Sequence, residues 1–343
     1  MKQSVTRRNF LRVTAIGTGI LVAGGIGIKQ LLSNSVPEFR RHSETRELLG
    51  TLITITLIDT DESRAVNTVE STFAEIERLS GLLSRHDFSS ELSHLNNDGR
   101  LIGASSELIS VLKRARYYAE LTGGAFDVTV GPLVDLYSAH FARYHAPPDA
   151  TAVAGAQQLV DYRMITIKGS DVTLAKPGMG ITLDGIGKGY VVDQAVALLK
   201  ARGMARVLVE AGGDLALRGL RQDGHPWRVG IHHPRALSGY YQVLEQSSGA
   251  VATSGDYEAA FTADFRYHHI VDPRTGSSPM GLSSVTVLAG DAASADALST
   301  AALVLGMTEG LKLLEQLPGV EALLMDKQVM SRATSGFPVP IAQ

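Results

Sequence analysis

The order of strand-like and helix-like segments is the feature that most restricts the fold of this chain. Apolar residues alternate at residues 52–58, which predicts a strand, and recur every three or four residues after Asp61, which predicts an amphipathic helix. Further strands are predicted at residues 164–167, 172–174, 207–209, 215–217, 227–231, 249–253, 285–288 and 322–325. Further helices are predicted at about residues 105–122 and 187–203, after Asp291 as far as Gly306, and after Thr308. Because the segments follow no regular β-α-β order, we predict an α+β fold with mixed sheets and packed helices.

Composition excludes several classes of protein and site. The chain has 343 residues, of which 44% are hydrophobic, so it can bury a sizeable core. Its formal net charge is −3 and it has no stretch rich in Lys and Arg, so we predict no nucleic-acid partner. It contains no cysteine, which excludes disulfides, thiolate nucleophiles and cysteine-bound zinc. Any bound metal must therefore be held by oxygen or nitrogen ligands.

The N-terminal segment predicts export. Residues 6–12 read Thr-Arg-Arg-Asn-Phe-Leu-Arg and precede an uncharged, glycine-rich run at residues 13–28, which resembles a twin-arginine signal. The alternative is a basic start before a transmembrane helix, for which the run is short. We predict a signal or N-terminal anchor at residues 1–31, a polar linker at 32–46 and one domain at 47–343. The expected location is periplasmic, reached through the twin-arginine machinery, with the segment either cleaved or retained as an inner-membrane anchor.

A histidine beside a rigid turn is a candidate for acid–base chemistry. Residues 267–276 read Tyr-His-His-Ile-Val-Asp-Pro-Arg-Thr-Gly, in which Ile270 and Val271 predict a short strand and the remainder a turn. Asp296 and Thr300 stand four residues apart in a predicted helix, so their oxygens face one side. An imidazole near two hard oxygen donors indicates metal-assisted chemistry. Taken alone, each of these residues fits a structural role better, since a lone histidine is more often structural and the spacing of Asp296 and Thr300 is that of one polar helix face.

Two glycine-containing segments are candidates for ligand contact. Residues 184–190 read Asp-Gly-Ile-Gly-Lys-Gly-Tyr and lead from a predicted strand into a helix, where free N–H groups favour an anion. The spacing matches neither the dinucleotide fingerprint nor the Walker motif. Residues 123–127 read Gly-Gly-Ala-Phe-Asp; glycines allow the backbone to approach a ligand, and they also end helices. Spacing alone leaves both interpretations open.

Taken together, eight segments occur in the order seen in the ApbE family of flavin transferases, which this chain resembles from about residue 49 to residue 306. They are Leu-Gly-Thr at 49–51, Ser-Glu-Leu-Ser-His-Leu-Asn at 90–96, Gly-Gly-Ala-Phe-Asp at 123–127, Gly-Ile-Gly-Lys-Gly-Tyr at 185–190, Gly-Gly-Asp at 212–214, Thr-Ser-Gly-Asp-Tyr at 253–257, His-Ile-Val-Asp-Pro-Arg-Thr-Gly at 269–276 and Ala-Asp-Ala-Leu-Ser-Thr at 295–300. The resemblance implies a T-fold-like architecture with FAD in a cleft between subdomains. It also implies Mg²⁺-dependent transfer of FMN from FAD to a Thr or Ser hydroxyl of an acceptor protein through a phosphoester bond, with release of AMP.

The resemblance also implies the role of individual residues. His269 takes the place of the catalytic base, for which an imidazole pKa near neutrality is suited. The implied Mg²⁺ ligands are Asp296, Thr300 and the backbone carbonyl of Gly187. The implied FAD contacts are Leu49, His86, Ala125, Phe126, Asp127, Asp184, Tyr190 and Ile270. The chain departs from the family pattern at Leu49, His86, Gly187 and Thr182, where Met, Tyr, Ala and Asp are usual.

Two other functions remain open at this point. One is hydrolysis of FAD to FMN and AMP, with water in place of the protein hydroxyl. The other is a flavin-binding carrier without chemistry at phosphorus, although simple flavin binding needs neither His269 nor the pair of Asp296 and Thr300. The partners implied by transfer are FAD and an acceptor flavoprotein with a Thr or Ser target site.

Overall fold

The computed structural model describes residues 38–236 and 238–341, so the predicted export signal lies outside the described residues. The strands are β1 (Arg40–Leu48), β2 (Thr51–Asp59), β3 (Arg100–Leu101), β4 (Ile165–Lys168), β5 (Asp171–Leu174), β6 (Val207–Ala211), β7 (Asp214–Arg218), β8 (Trp227–His232), β9 (Tyr240–Gln246), β10 (Ser248–Gly255), β11 (Leu282–Ala289), β12 (Glu321–Asp326) and β13 (Ser331–Ala333). The helices are α1 (Glu62–Leu83), α2 (Glu91–Asp98), α3 (Ser106–Leu121), α4 (Gly131–Tyr144), α5 (Ala150–Gln157), α6 (Gly187–Ala201) and α7 (Ala292–Glu315).

An eight-stranded antiparallel sheet forms the centre of the fold. Its strand order is β1-β2-β6-β7-β10-β11-β12-β13, and each neighbouring pair runs antiparallel. The strands β3, β5 and β4 form a second sheet, and β8 pairs with β9 in a third. Antiparallel ladders need no helical crossover between neighbours, so helices and strands can follow one another irregularly along the chain. The predicted α+β class is therefore confirmed.

Helices α1, α6 and α7 cover one face of the large sheet. Asp61 is the N-cap of helix α1, and its side chain accepts a hydrogen bond from the Arg64 N–H. Of its apolar residues at three- and four-residue spacing, Val66 in the first turns is exposed, whereas Val69, Phe73, Ile76 and Leu79 are fully buried. They join side chains of α6, α7 and the sheet in the largest hydrophobic core of the described chain.

The β8–β9 hairpin covers the opposite face of the sheet. Trp227 and Val229 of β8 pack with Leu215 and Leu217 of β7 in a second core. Because successive side chains of a strand point to opposite faces, a strand covered on both faces buries all of its side chains, the polar ones included. All residues of β11 are buried for this reason.

Helix α7 carries two of the predicted site residues through the core. Its N-cap is Asp291, which accepts a hydrogen bond from the Ser294 N–H at 2.9 Å. At Gly306 the backbone leaves helical geometry with φ 80° and ψ −178°, so the two helices predicted on either side of this glycine form one kinked element. Among the residues described, α7 alone has the length and apolar composition of a membrane span. It packs against β10 and β11, and a buried core helix has the same composition.

The predicted linker at residues 32–46 is wrong from residue 40 onward, because strand β1 begins there. The strand pairs with β2 from Arg40 opposite Asp59 to Leu48 opposite Thr51. It lies at the edge of the sheet, and its residues alternate between exposed and half-buried. Charged side chains are common on edge strands, where they discourage further pairing, and they hide the apolar pattern of a strand. Residues 32–37 of that linker lie outside the described residues.

The predicted strand at Ile270 and Val271 is also wrong. Both residues lie in a loop, in which His268 forms only an isolated bridge with Ala260. Val271 is buried against Tyr137 and other apolar residues of α4, a helix that periodicity did not identify. β-branched residues therefore indicated burial here without indicating a ladder.

Candidate active site

One cavity brings together most of the predicted site residues. It contains about 710 Å³ of empty space, part of it open to solvent. The loop before α4, the start of α6, the middle of α7 and the segment between β10 and β11 form its walls. The predicted residues that line it are Ala125, Phe126, Asp127, Asp184, His269, Ile270, Asp296 and Thr300. Segments more than a hundred residues apart in the sequence therefore meet at one place.

The turn that follows His269 is held by side chains on both sides. The Arg274 guanidinium donates to both oxygens of Asp272 at 2.9 Å. The Tyr137 hydroxyl donates to the carbonyl of Gly276 at 3.0 Å. Gly276 has φ +71°, a conformation that glycine adopts without steric cost. The predicted rigid turn is therefore present, and it limits the positions available to His269.

His269 is a neutral base in this environment. Its backbone N–H donates to the Ala259 carbonyl at 3.0 Å, and its ring Nδ1 is buried without a hydrogen-bond partner among the described residues. Burial lowers the pKa of His269 to about 4; Lys188 lowers the pKa as well, and Asp184 opposes both effects. The expectation that the pKa of His269 lies near neutrality is therefore wrong for the protein without bound FAD. A neutral imidazole has a free lone pair and can accept a proton.

Asp296 is a buried carboxylate at the cavity wall. It is 3% exposed, and its Oδ2 accepts a hydrogen bond from the Gly189 N–H at 3.3 Å. Burial raises the pKa of Asp296 well above its ordinary value, the Asp214 carboxylate raises it further, and Lys188 opposes this. A nearby cation would remove much of the cost of ionising such a group.

The oxygens at this place fit a divalent cation that takes further ligands from a substrate. Within the part of the chain that the structure describes, no three His, Cys, Asp or Glu side chains are grouped to hold a metal. Asp296 and Thr300 nevertheless offer two hard oxygens, and the Thr300 hydroxyl lies 3.0 Å from the Ser254 hydroxyl. Gly187, whose carbonyl is the third predicted ligand, is the first residue of α6. Mg²⁺ commonly keeps a few protein oxygens and completes its shell with phosphate and water, so these residues fit it.

Lys188 and Glu258 also line the cavity, although the sequence reasoning gave neither a role. The Lys188 Nζ lies 2.9 Å from Oδ2 of Asp214. Burial lowers the pKa of Lys188, but the carboxylates of Asp214 and Asp296 outweigh this effect and raise the pKa above its ordinary value. A permanent positive charge in a cavity favours an anionic ligand. In the sequence, the feature that indicates such a role for Lys188 is its place inside the Gly-Ile-Gly-Lys-Gly run at residues 185–189.

The two predicted FAD-contacting aspartates differ in what their carboxylates do. The Asp127 carboxylate accepts hydrogen bonds from the N–H groups of Thr129 at 2.8 Å and Tyr162 at 2.9 Å. These bonds hold the loop that forms the cavity wall beside Phe126. Asp184 is exposed at the cavity and is available to a ligand.

Four predicted residues lie outside the lining of this cavity. Gly187 adjoins it through the neighbouring Lys188. Leu49 lies in the β1–β2 turn with φ +55°, which is uncommon for a residue with a branched side chain. Tyr190 is 3% exposed and packs in the largest core. His86 lines a second cavity, which contains about 950 Å³ of empty space.

Comparison with known proteins points to one family. The model of the ApbE family matches residues 49–324. A curated FAD:protein FMN transferase of Vibrio cholerae is 34% identical over 271 residues, which cover 76% of this chain and 81% of that protein. A FAD:protein FMN transferase of Treponema pallidum is 32% identical, covering 87% and 88% of the two chains. The solved structure of a flavin transferase ApbE from Vibrio cholerae superimposes with a TM-score of 0.78 at 30% identity, covering 87% of this chain and 98% of that one.

Proposed function

The chain belongs to the ApbE family and is a flavin transferase, and from this premise we propose that it moves FMN from FAD to a Thr or Ser hydroxyl of an acceptor protein and releases AMP. The observation that carries the proposal is the convergence of His269, Lys188 and Asp296 on one cavity. A proton acceptor, a fixed cation and a metal-binding carboxylate are the groups that phosphoryl transfer to a hydroxyl requires.

His269 acts as the base. The acceptor oxygen forms a bond to the FMN phosphorus, and its proton passes to the imidazole. The bond from that phosphorus to the oxygen of AMP breaks, and AMP leaves with the bonding electrons. The pKa of His269 is about 4 in the protein alone. The negative charge of the FAD phosphates favours the imidazolium, so their binding would raise this pKa.

Positively charged groups offset the negative charge of the FAD phosphates during this step. The Lys188 ammonium lies in the cavity wall beside Asp296 and favours the anionic pyrophosphate. Asp296, Thr300 and the carbonyl of Gly187 would hold Mg²⁺. A bound Mg²⁺ would neutralise charge on the phosphate oxygens.

The proposal is tested by incubating the purified protein with FAD, Mg²⁺ and a flavoprotein prepared without its phosphoester-linked flavin. Transfer gives an acceptor band that is fluorescent on a denaturing gel, together with AMP in solution. Free FMN and AMP without a labelled band would show hydrolysis instead. Neither product would show a carrier, and either of the last two results contradicts the proposal.

His269→Ala tests the role of the base. Loss of a general base lowers kcat by about 10²- to 10⁴-fold, while FAD binding, followed by flavin fluorescence, is retained. His225→Ala is the matched control, because His225 is exposed and does not line the cavity. A His269→Ala protein with the kcat of the His225→Ala control would remove His269 from the mechanism.

We also propose that the protein acts in the periplasm after twin-arginine export. The support is the paired arginines and the uncharged run at residues 13–28. Replacing both Arg7 and Arg8 by lysine should leave the protein in the cytoplasmic fraction. Unchanged export of this variant would contradict the route.

A further inference from the structure

The segment at residues 256–281 joins β10 to β11 and brings His269 to the cavity. It folds back on itself through two backbone hydrogen bonds. The Phe261 N–H donates to the Tyr267 carbonyl at 2.7 Å, and the His269 N–H donates to the Ala259 carbonyl at 3.0 Å. The position of His269 therefore depends on how this folded segment is attached to the rest of the domain.

Asp256 attaches the beginning of the segment. Its carboxylate is fully buried and accepts hydrogen bonds from Arg235, with Nη1 at 2.8 Å from Oδ1 and Nη2 at 2.7 Å from Oδ2. Lys327 donates to the same Oδ2. The Asp256 N–H donates to the Ser283 carbonyl at 3.0 Å, which links this point to β11.

The same two cations also hold Phe265, which lies between Ala259 and His269. The Arg235 guanidinium lies over the ring of Phe265, 4.3 Å from its centroid. The Lys327 Nζ lies 3.3 Å from the Phe265 carbonyl. Phe265 has φ +57°, a conformation that costs energy for an aromatic residue and persists only where its surroundings impose it. Arg235 and Lys327 thus bind the segment at two points, one before Ala259 and one between Ala259 and His269.

Stability alone is a poor reason for this arrangement. The free-energy cost of removing three charged groups from water offsets much of their mutual attraction, and apolar residues in their place often stabilise a core equally well. A bidentate arginine does, however, define the position and orientation of its carboxylate. A catalytic base requires such definition, because an error of about 1 Å in its position can cost about 10²-fold in rate.

We propose that Asp256, Arg235 and Lys327 are positioning residues that hold His269 in place for proton transfer. None of the three lines the cavity, so they hold His269 in place through the segment that carries it. The Asp256 carboxylate also acts on the pKa of His269 by its charge, which raises that pKa. The inference rests on the proposed function, since it concerns the reaction in which His269 is the base.

The test compares Asp256→Asn and Lys327→Met with the wild-type full-length chain. Asp256→Asn keeps the shape of the side chain and removes its charge, while Lys327→Met leaves the bidentate Arg235 contact intact. For both variants we expect kcat for FMN transfer to fall about 10- to 100-fold, while KM for FAD stays within about twofold. Arg235→Lys keeps the charge but loses the planar fork, so its kcat should lie between those of wild type and Asp256→Asn.

Asp59→Asn is the matched control. Asp59 is also a buried aspartate bound to an arginine, with Arg64 Nη2 at 2.6 Å, but it is the last residue of β2 and does not line the cavity. This variant should lose stability and keep its kcat. A fall in kcat as large as that of Asp256→Asn would mean that general destabilisation explains both, and would overturn the inference.

Hydrogen exchange separates failure of this inference from failure of the proposed function. The amides of Phe261 and His269 should exchange faster in Asp256→Asn and Lys327→Met than in wild type, and at the wild-type rate in Asp59→Asn. If Asp256→Asn does not fold, Lys327→Met decides. Unchanged kcat and unchanged exchange in a folded variant overturn the positioning role. A wild-type protein that labels no acceptor refutes the proposed function. In that case, hydrogen exchange at the Phe261 and His269 amides still decides whether Asp256, Arg235 and Lys327 anchor the segment.

Discussion

Gly189→Ala tests whether the close approach of α6 to α7 creates the proposed metal site. A Cβ at position 189 would lie 2.4 Å from the carbonyl oxygen of Ala292 and 2.7 Å from the backbone nitrogen of Ala293. Cβ atoms essentially never come closer than 3.0 Å to such atoms, so the two helices must separate by at least 0.6 Å. Overpacking of this kind costs about 1–3 kcal/mol. Alanine regains about 1 kcal/mol of helix propensity, which leaves a net loss of about 0–2 kcal/mol.

The same displacement should weaken metal binding. The Gly189 N–H is the backbone donor to Asp296 Oδ2 at 3.3 Å, and Gly187 lies two residues earlier in the same turn of α6. Moving α6 away from α7 therefore separates the predicted ligands Gly187 and Asp296. Because active-site errors of about 1 Å cost about 10²-fold, a shift of this size should lower the rate by about tenfold or more at limiting Mg²⁺.

The assay measures the urea unfolding midpoint and the Mg²⁺ concentration that half-saturates FMN transfer. Gly81→Ala is the control, because Gly81 lies in α1 and a Cβ there would meet no atom within 4 Å. The control should gain up to about 1 kcal/mol of stability and keep its Mg²⁺ requirement. If Gly189→Ala matches the control in both measurements, the contact between α6 and α7 does not form the site.

Two further predictions concern charge and pH. Asp296→Asn keeps the shape of the side chain and removes its charge, so the Mg²⁺ requirement for transfer should rise; full activity at low Mg²⁺ would contradict the ligand assignment. Burial lowers the pKa of His268 and of His269 to about 4, whereas a histidine of the unfolded chain titrates near 6.5. The unfolded state therefore binds more protons between about pH 4 and 6.5, so stability falls as the pH drops through that window. His268→Gln should reduce the slope by up to about 1.4 kcal/mol per pH unit in urea unfolding, and an unchanged slope would refute the lowered pKa.

Much of the fold could be predicted because helices α1 and α7 and the central strands depend on local rules. Capping by Asp61 and Asp291 is a contact between residues three apart, and both caps are present. Strand β1 could not be predicted from apolar alternation, because an edge strand needs little apolar surface. The apolar pair at residues 270–271 predicted a strand but lies in a loop, because Val271 is buried by α4, which is distant in sequence.

The sequence by itself determined which residues could carry the chemistry, since side-chain type and motif order are local properties. It identified His269, Asp296 and Thr300 without showing whether they share a cavity. Only the tertiary structure decided that they do, and that Lys188 lies beside them. The tertiary structure also decided the low pKa of His269, because burial and the charges of Lys188 and Asp184, some eighty residues away in sequence, determine the pKa in space. Long-range packing likewise placed Tyr190 in the core, where no local pattern distinguishes a core aromatic residue from a ligand contact.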